Sequence, residues 1–212
     1  MTADTPEVFA PLLAVPAQHS IDNRPLNVVA NTFGSQEATD APVLHTHNTF
    51  RTGSYIADKE LIYEIERIHD EEFASIKDIQ GLTSTLTFQP ITANNVLVGA
   101  KKRGGNVLGL ETRVKKGGRS FMWTEQYAGW ARDEDTELVE AVQRRVYERA
   151  KAAAVSRGLF DEFVYLNDAS TEQSAEVFGA YGRKNHEFLK AVKKRYDPQG
   201  VFAKLMPGGF KI

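Results

Sequence analysis

Cysteine is absent from the 212 residues. That removes disulfides, thiolate nucleophiles and cysteine-type zinc sites together, and it leaves the redox compartment open. No GxGxxG and no Walker-type loop occurs, so binding of a dinucleotide or ATP by a local glycine-rich loop has no support. The nearest approach, GGNVLG at Gly104 to Gly109, follows a basic, weakly patterned stretch, and no helix clearly opens after it. No GxSxG elbow marks a serine hydrolase. Long apolar runs are lacking as well: none nears the roughly 20 residues that cross a bilayer. The opening MTADTPEVFAPLLAVP is acidic and broken by Pro6, Pro11 and Pro16, where a signal peptide is basic and continuous. The expectation is a cytoplasmic protein with no membrane partner.

Charge of one sign is also missing. There are 26 basic and 28 acidic residues, for a net charge of -2, whereas a nucleic-acid binder gathers basic residues on one surface. Lys101-Lys102-Arg103 and Lys193-Lys194-Arg195 are the only basic runs, and each lies beside a turn signal or at a helix end. They read as solvated surface, so nucleic acid is not an expected partner.

What is present is an ordinary globular composition, 42% hydrophobic and 25% charged, in a chain long enough to hide about 70% of its unfolded surface. Three stretches have helical periodicity. Around Ala57 to Ile76 the stripe is Leu61, Ile65, Ile68 and Ile76. From Asp135 to about Ser156 it is Leu138, Val142 and Val146, with Asp133 or Asp135 as N-cap and Gly158 as stop. From Arg183 to Tyr196 it is Phe188, Leu189 and Val192, closed by Asp197-Pro198. Strand-like runs lie between: VLHTHNTF (Val43 to Phe50), LTSTLTFQ (Leu82 to Gln89), SFMWTEQY (Ser120 to Tyr127) and FVYLN (Phe163 to Asn167), with NVVANTF (Asn27 to Phe33) as a less regular one.

LTSTLTFQ separates two architectures. Leu82, Ser84, Leu86 and Phe88 face one way, and Thr83, Thr85, Thr87 and Gln89 the other. A half-polar strand suits an antiparallel sheet better than a doubly wound parallel one. The fold expected is α+β, an antiparallel β-sheet with helices packed on one face. Residues 1–26 would form an extended segment and residues 27–212 a single domain.

Residue types alone leave the chemistry open. His45 and His47 share a strand face, but no third ligand lies near them, and they read as polar strand residues. His69 and His186 read as surface residues on helices. The remaining feature is a polar face made from separate strands: Thr85, Thr87 and Gln89 on one, Tyr165 and Asn167 on another, with the Trp123 strand able to join. In FVYLN, Phe163, Tyr165 and Asn167 would point one way and Val164 and Leu166, the core face, the other. Such a face either lines a ligand cavity, where a phenol and an amide can bind and move a proton, or meets solvent.

Several ordered motifs add to this. FVYLNDAS, FGAYGRKN, LKAVKKRYDPQGVF and the terminal PGGFK, preceded by GLTSTLTFQP, GGNVLGLE and WARDED, resemble the C-terminal half of the FAD-linked oxidases related to berberine bridge enzyme, particularly their fungal branch. The resemblance covers most of the chain from about Pro6 onward. It implies a substrate domain, an antiparallel sheet lying over a flavin and backed by helices. The family's FAD-binding half, with its pyrophosphate loops and flavin-linked histidine, has no counterpart among these residues.

Carried over residue by residue, Tyr165 matches the tyrosine of a YxN motif that lies over the flavin and in some members acts on the substrate hydroxyl. Asn167 matches the asparagine of that motif. Asp168 stands where many members have a second tyrosine. Gln89 matches a glutamine that contacts substrate. Thr87 and Trp123, or more loosely Met122, would line the cavity. Tyr181 and Asn185 match a YGxxN pair that braces a helix start or, as a second option, touches the flavin. The implied function is an FAD-linked oxidoreductase acting on a small-molecule, secondary-metabolite substrate, with Tyr165 and Gln89 catalytic. Asn167, Tyr181 and Asn185 would lie toward the FAD. The flavin would be held by an FAD-binding partner chain or an upstream segment, and a bare sheet face invites a homo-oligomer. A non-redox cyclase or isomerase, or an inactive ligand-binding remnant, are the alternatives.

Overall fold

The structure, a computed structural model, describes residues 47–103, 105–117, 120–206 and 208–212. The expected extended segment, the Asn27 to Phe33 strand and His45 lie outside them. Four strands form one antiparallel sheet in the order β2-β3-β1-β4: β1 is His47–Ile56, β2 Thr83–Ile91, β3 Phe121–Trp130 and β4 Phe160–Asp161. Seven helices accompany them among the described residues: α1 Lys59–Ala74, α2 Ala93–Arg103, α3 Leu110–Gly117, α4 Thr136–Ser156, α5 Ser174–Val177, α6 Arg183–Tyr196 and α7 Val201–Leu205. The fold is α+β.

The two long helices cover one face of the sheet, and the reason lies in their stripes. Leu61, Ile65 and Ile68 of α1 and Val139, Val142, Val146 and Ala150 of α4 are buried, packed with Tyr55, Met122, Ala128 and Trp130 of the strands. Asp58 caps α1 by accepting from the Leu61 N–H at 2.9 Å, which satisfies one of the helix's orphan donors. In α4 the stripe runs through Val139 rather than Leu138, which is 47% exposed. Val142 and Val146 are buried as expected, and only Leu138 falls off the stripe. Gln143, also buried on α4, donates to the main-chain oxygen of Gln126 at 2.9 Å, tying helix to sheet.

The strand alternation read in LTSTLTFQ holds. Leu86 and Phe88 pack under the helices, and Thr85 and Thr87 are exposed on the opposite face. Alternation likewise sends Met122 into the core beneath the helices and Trp123 to the opposite face, so Met122 does not line that face. His69 is buried against Phe73 with ring centroids 4.7 Å apart, contrary to the surface position expected. His47 stacks on Trp130.

FVYLN is not a strand. The ladder with β1 ends after Phe160 and Asp161, because the Asp161 carboxylate accepts from the Phe163 N–H at 2.8 Å. A side chain that takes its neighbour's backbone donor offers an alternative to the ladder. Arg113 of α3 pairs with the same carboxylate. The chain then leaves the sheet edge and crosses the face opposite α1 and α4. Phe163 and Val164 are both buried, which a one-sided strand would not allow, and Leu166–Asp168 is a 3-10 turn. Beyond it, the Gln173 side chain takes the place of a neighbouring strand. Its Oε1 accepts from the Thr52 N–H at 3.2 Å and its Nε2 donates to the Thr52 oxygen at 2.8 Å. The buried Arg51 pairs with Glu172 beside it.

Asp161→Ala removes the turn acceptor and the partner of Arg113 together, at an expected cost of about 2–3 kcal/mol. Asp161→Asn retains a turn acceptor and should cost less than half as much. Urea denaturation midpoints of the two variants measure the difference.

Candidate functional site on the open sheet face

The crossing segment places three of its residues over the face of β2 and β3. Tyr165 stacks on Trp123 of β3 with centroids 4.3 Å apart and planes at 22°. Asn167, exposed, donates from Nδ2 to the Tyr165 hydroxyl at 2.9 Å. That bond occupies the phenol oxygen as acceptor and leaves its O–H free to donate. Asp168 reaches β2, where Gln89 Nε2 donates to its Oδ2 at 3.3 Å.

Gln89 donates from the same nitrogen to Glu125 Oε2 of β3, also at 3.3 Å. Strand register makes this cluster: Gln89 lies opposite Trp123, and Thr87 opposite Glu125. One amide thus holds two carboxylates, and no arginine or lysine forms an ion pair with either among the described residues. Burial, and then the charge of Glu125, push the Asp168 carboxyl up to about 6, with the Gln89 bond pulling weakly the other way.

The structure therefore brings Tyr165, Asn167, Gln89, Thr87 and Trp123 to one face. Their route differs from the one expected, since the YxN pair arrives on a crossing turn rather than a middle strand. Tyr181 and Asn185 do not join them. Tyr181 is buried behind Phe163, its ring stacked at 5.8 Å, and Asn185 Nδ2 donates to the Tyr181 oxygen at 3.1 Å. Gly109, at φ +74°, passes so close that a Cβ there would sit 2.5 Å from that oxygen. The pair's contacts are those of a brace between the α6 start and the loop before α3.

Glu125 and Asp168 were missed as a pair. In SFMWTEQY the alternation already puts Glu125 on the Trp123 face, but nothing local to Asp168 announces its approach to β2. A cavity of about 460 Å³ lies elsewhere, beside β4 between α4 and α5. It shares Phe163 and Val164 with the crossing segment, yet none of the predicted site residues lines it. Convergent polar groups and a displaced carboxyl favour the open face as the site.

As to a flavin, the half-buried Tyr165 ring, backed by the buried Trp123, offers a stacking surface for one side of a flat ring, and the Gln89 oxygen and the exposed Asn167 amide offer hydrogen bonds. No GxGxxG or Walker loop occurs in the sequence. A helix does open after GGNVLG, α3 at Leu110, contrary to expectation, but the Glu111 carboxylate takes the Asn106 N–H of that loop at 3.2 Å, where a phosphate would need it. Among the described residues, no group of three or more histidines or carboxylates could hold a metal. No described helix is long and apolar enough to cross a membrane.

Asp168 has a stability consequence. Its carboxyl is neutral in both folded and unfolded chains below its ordinary 3.8, and ionising it in the fold costs stability as pH rises through about 6. Asp168→Asn should therefore stabilise the chain above pH 6, by at most about 3 kcal/mol. The gain should vanish below about pH 4, as thermal melts across that range would record.

No family model matches the chain, and no solved structure does. Curated relatives do. The chain is 35% identical over 172 residues to the FAD-dependent monooxygenase FUP4 of Fusarium proliferatum, covering 77% of this chain and 31% of that protein. It is 29% identical over 213 residues to the bifunctional solanapyrone synthase of Alternaria solani, covering 99% and 38%. Oligopeptidase PhomG' of Diaporthe leptostromiformis matches at 29% over 212 residues, covering 98% of this chain and 16% of that protein. The chain thus spans between 16% and 38% of the length of these relatives. By these comparisons it is similar to part of a set of fungal proteins several of which are named FAD-dependent monooxygenases.

Proposed function

We propose that this chain forms the substrate-side half of an FAD-linked oxidoreductase of the berberine bridge enzyme-like kind, acting on a small molecule of fungal secondary metabolism in the cytoplasm. The observation that carries the reading is the convergence of Tyr165, Trp123 and Gln89 on one open sheet face. Its support from outside is the similarity to proteins named as FAD-dependent. The flavin, when bound, supplies the redox chemistry, and protein groups orient the substrate and handle its proton. The Trp123–Tyr165 stack provides an apolar wall, and the Gln89 amide and the Tyr165 O–H provide directional contacts. The pyrophosphate of FAD is to be held by a partner chain or by a preceding segment.

Purified chain titrated with FAD, and followed by the visible flavin spectrum, tests the reading. Saturable binding that weakens about tenfold in Tyr165→Ala, through loss of the stack, is the expected result. A chain indifferent to FAD, alone and with a flavin-domain partner, contradicts it and leaves a non-redox or inert ligand-binding role.

A further inference from the structure

Gln89 does something unusual with its amide. Both of its bonds go to carboxylates, one on β3 and one on the crossing turn. Amide donors ordinarily leave two anions free to move apart, but here Glu125 is fixed on a strand, and Asp168 on a turn whose own N–H donates to the Tyr165 oxygen at 3.1 Å. The ionisable group bearing on the Asp168 carboxyl is Glu125, across from β3, and Tyr165 lies on the same segment. Behind them stands Tyr181, whose phenol is raised by burial and then by Tyr165. Arg113, the guanidinium held against Phe163, is engaged by Asp161 and the Ala180 oxygen. Two like charges so clamped repel, and taking up one proton relieves the repulsion.

We propose that Glu125 and Asp168, joined through the Gln89 amide, are the proton acceptor of this site, with Tyr165 as hydrogen-bond donor rather than base. The inference rests on the open face being the substrate wall. Glu125 is half-buried and on the open face, so it presents the carboxylate to a substrate hydroxyl. Asp168, more deeply placed and held on the same amide nitrogen, keeps a second carboxylate close by, which favours uptake of one proton by the pair. In the step, the substrate O–H bond breaks, a new O–H bond forms on the carboxyl pair, and the electron pair remains on the substrate oxygen. That oxygen accepts a hydrogen bond from the Tyr165 O–H, which is free to donate because Asn167 already donates to the phenol oxygen. The sequence resemblance implies Tyr165 as the acceptor. The difference arises from Asp168, an acid in place of a second phenol.

Carbon-13 carboxyl NMR of the full chain across pH 3–9 tests the pair without any flavin. The expected result is an Asp168 inflection near pH 6. In Glu125→Gln the Asp168 inflection falls by about one pH unit, and in Tyr165→Phe it stays in place. In flavin-loaded protein, the acid limb of kcat/KM should track the same inflection and move with Glu125→Gln but not with Tyr165→Phe. An Asp168 inflection in the ordinary carboxylate range, or one that Glu125→Gln leaves in place, or an acid limb that moves only with Tyr165→Phe, overturns the proposal. Failure to bind FAD would sink the flavin reading and leave the titration standing, whereas uncoupled carboxyls would sink the pair alone.

Discussion

A single carboxylate decides the layout of the open face. Asp161 takes the Phe163 N–H and stops β4 after two residues, so the chain cannot continue along the sheet edge. Arg113 fixes that carboxylate from α3. With the ladder closed off, the chain has to cross the sheet, and its two apolar residues Phe163 and Val164 bury themselves there. Everything chemically distinctive follows from the crossing: Tyr165 lands on Trp123, Asn167 on Tyr165, and Asp168 beside Gln89. The Gln173 side chain then satisfies the stretch of β1 edge that a longer β4 would have covered. A buried backbone edge left unpaired is expensive, and a side-chain amide answers it here.

The two faces of the sheet divide the work. Beneath α1 and α4 the strands present Tyr55, Met122, Ala128 and Trp130, and apolar packing between elements supplies most of the burial. On the other face one end is closed by an aromatic cluster around Phe121, Trp123, Phe163 and Tyr181. The rest of the face carries Thr85, Thr87, Gln89 and Glu125. Polar residues on a sheet face cost little in water, and they become useful when an apolar wall stands beside them.

Local pattern made much of the fold legible and little of the site. Period-two alternation in LTSTLTFQ gave the sheet's two faces, and the stripe of α1 gave its extent. In α6 the bounds hold but the expected stripe does not, since Phe188 is exposed and no residue of the helix is buried. Asp197-Pro198 marked the end of α6 because proline disfavours helix in the residue before it. The α2 and α3 helices went unread: ANNVLVGAKKR is basic and glycine-containing, and its periodicity is weak. FVYLN looked like a strand because aromatic and β-branched residues alternate with polar ones. The Asp161 turn that overrides this depends on a carboxylate and an arginine nearly fifty residues apart. The meeting of Gln89, Glu125 and Asp168 has the same character, since it is a tertiary event with no short-range signal. The resemblance did identify Tyr165, Gln89 and Trp123 as neighbours, although by the wrong backbone route.

The claim underlying this account is that the crossing turn and the β2–β3 face together form one ligand wall. Amide and indole N–H shifts of the chain, followed while the isolated isoalloxazine compound lumiflavin is added, test that directly. The account predicts saturable shifts gathered at the side-chain amides of Gln89 and Asn167 and at the Trp123 indole, with the residues around the β4 cavity silent. Shifts centred on Tyr147, Lys151 and Gly179 instead, or none anywhere at saturating lumiflavin, would contradict it.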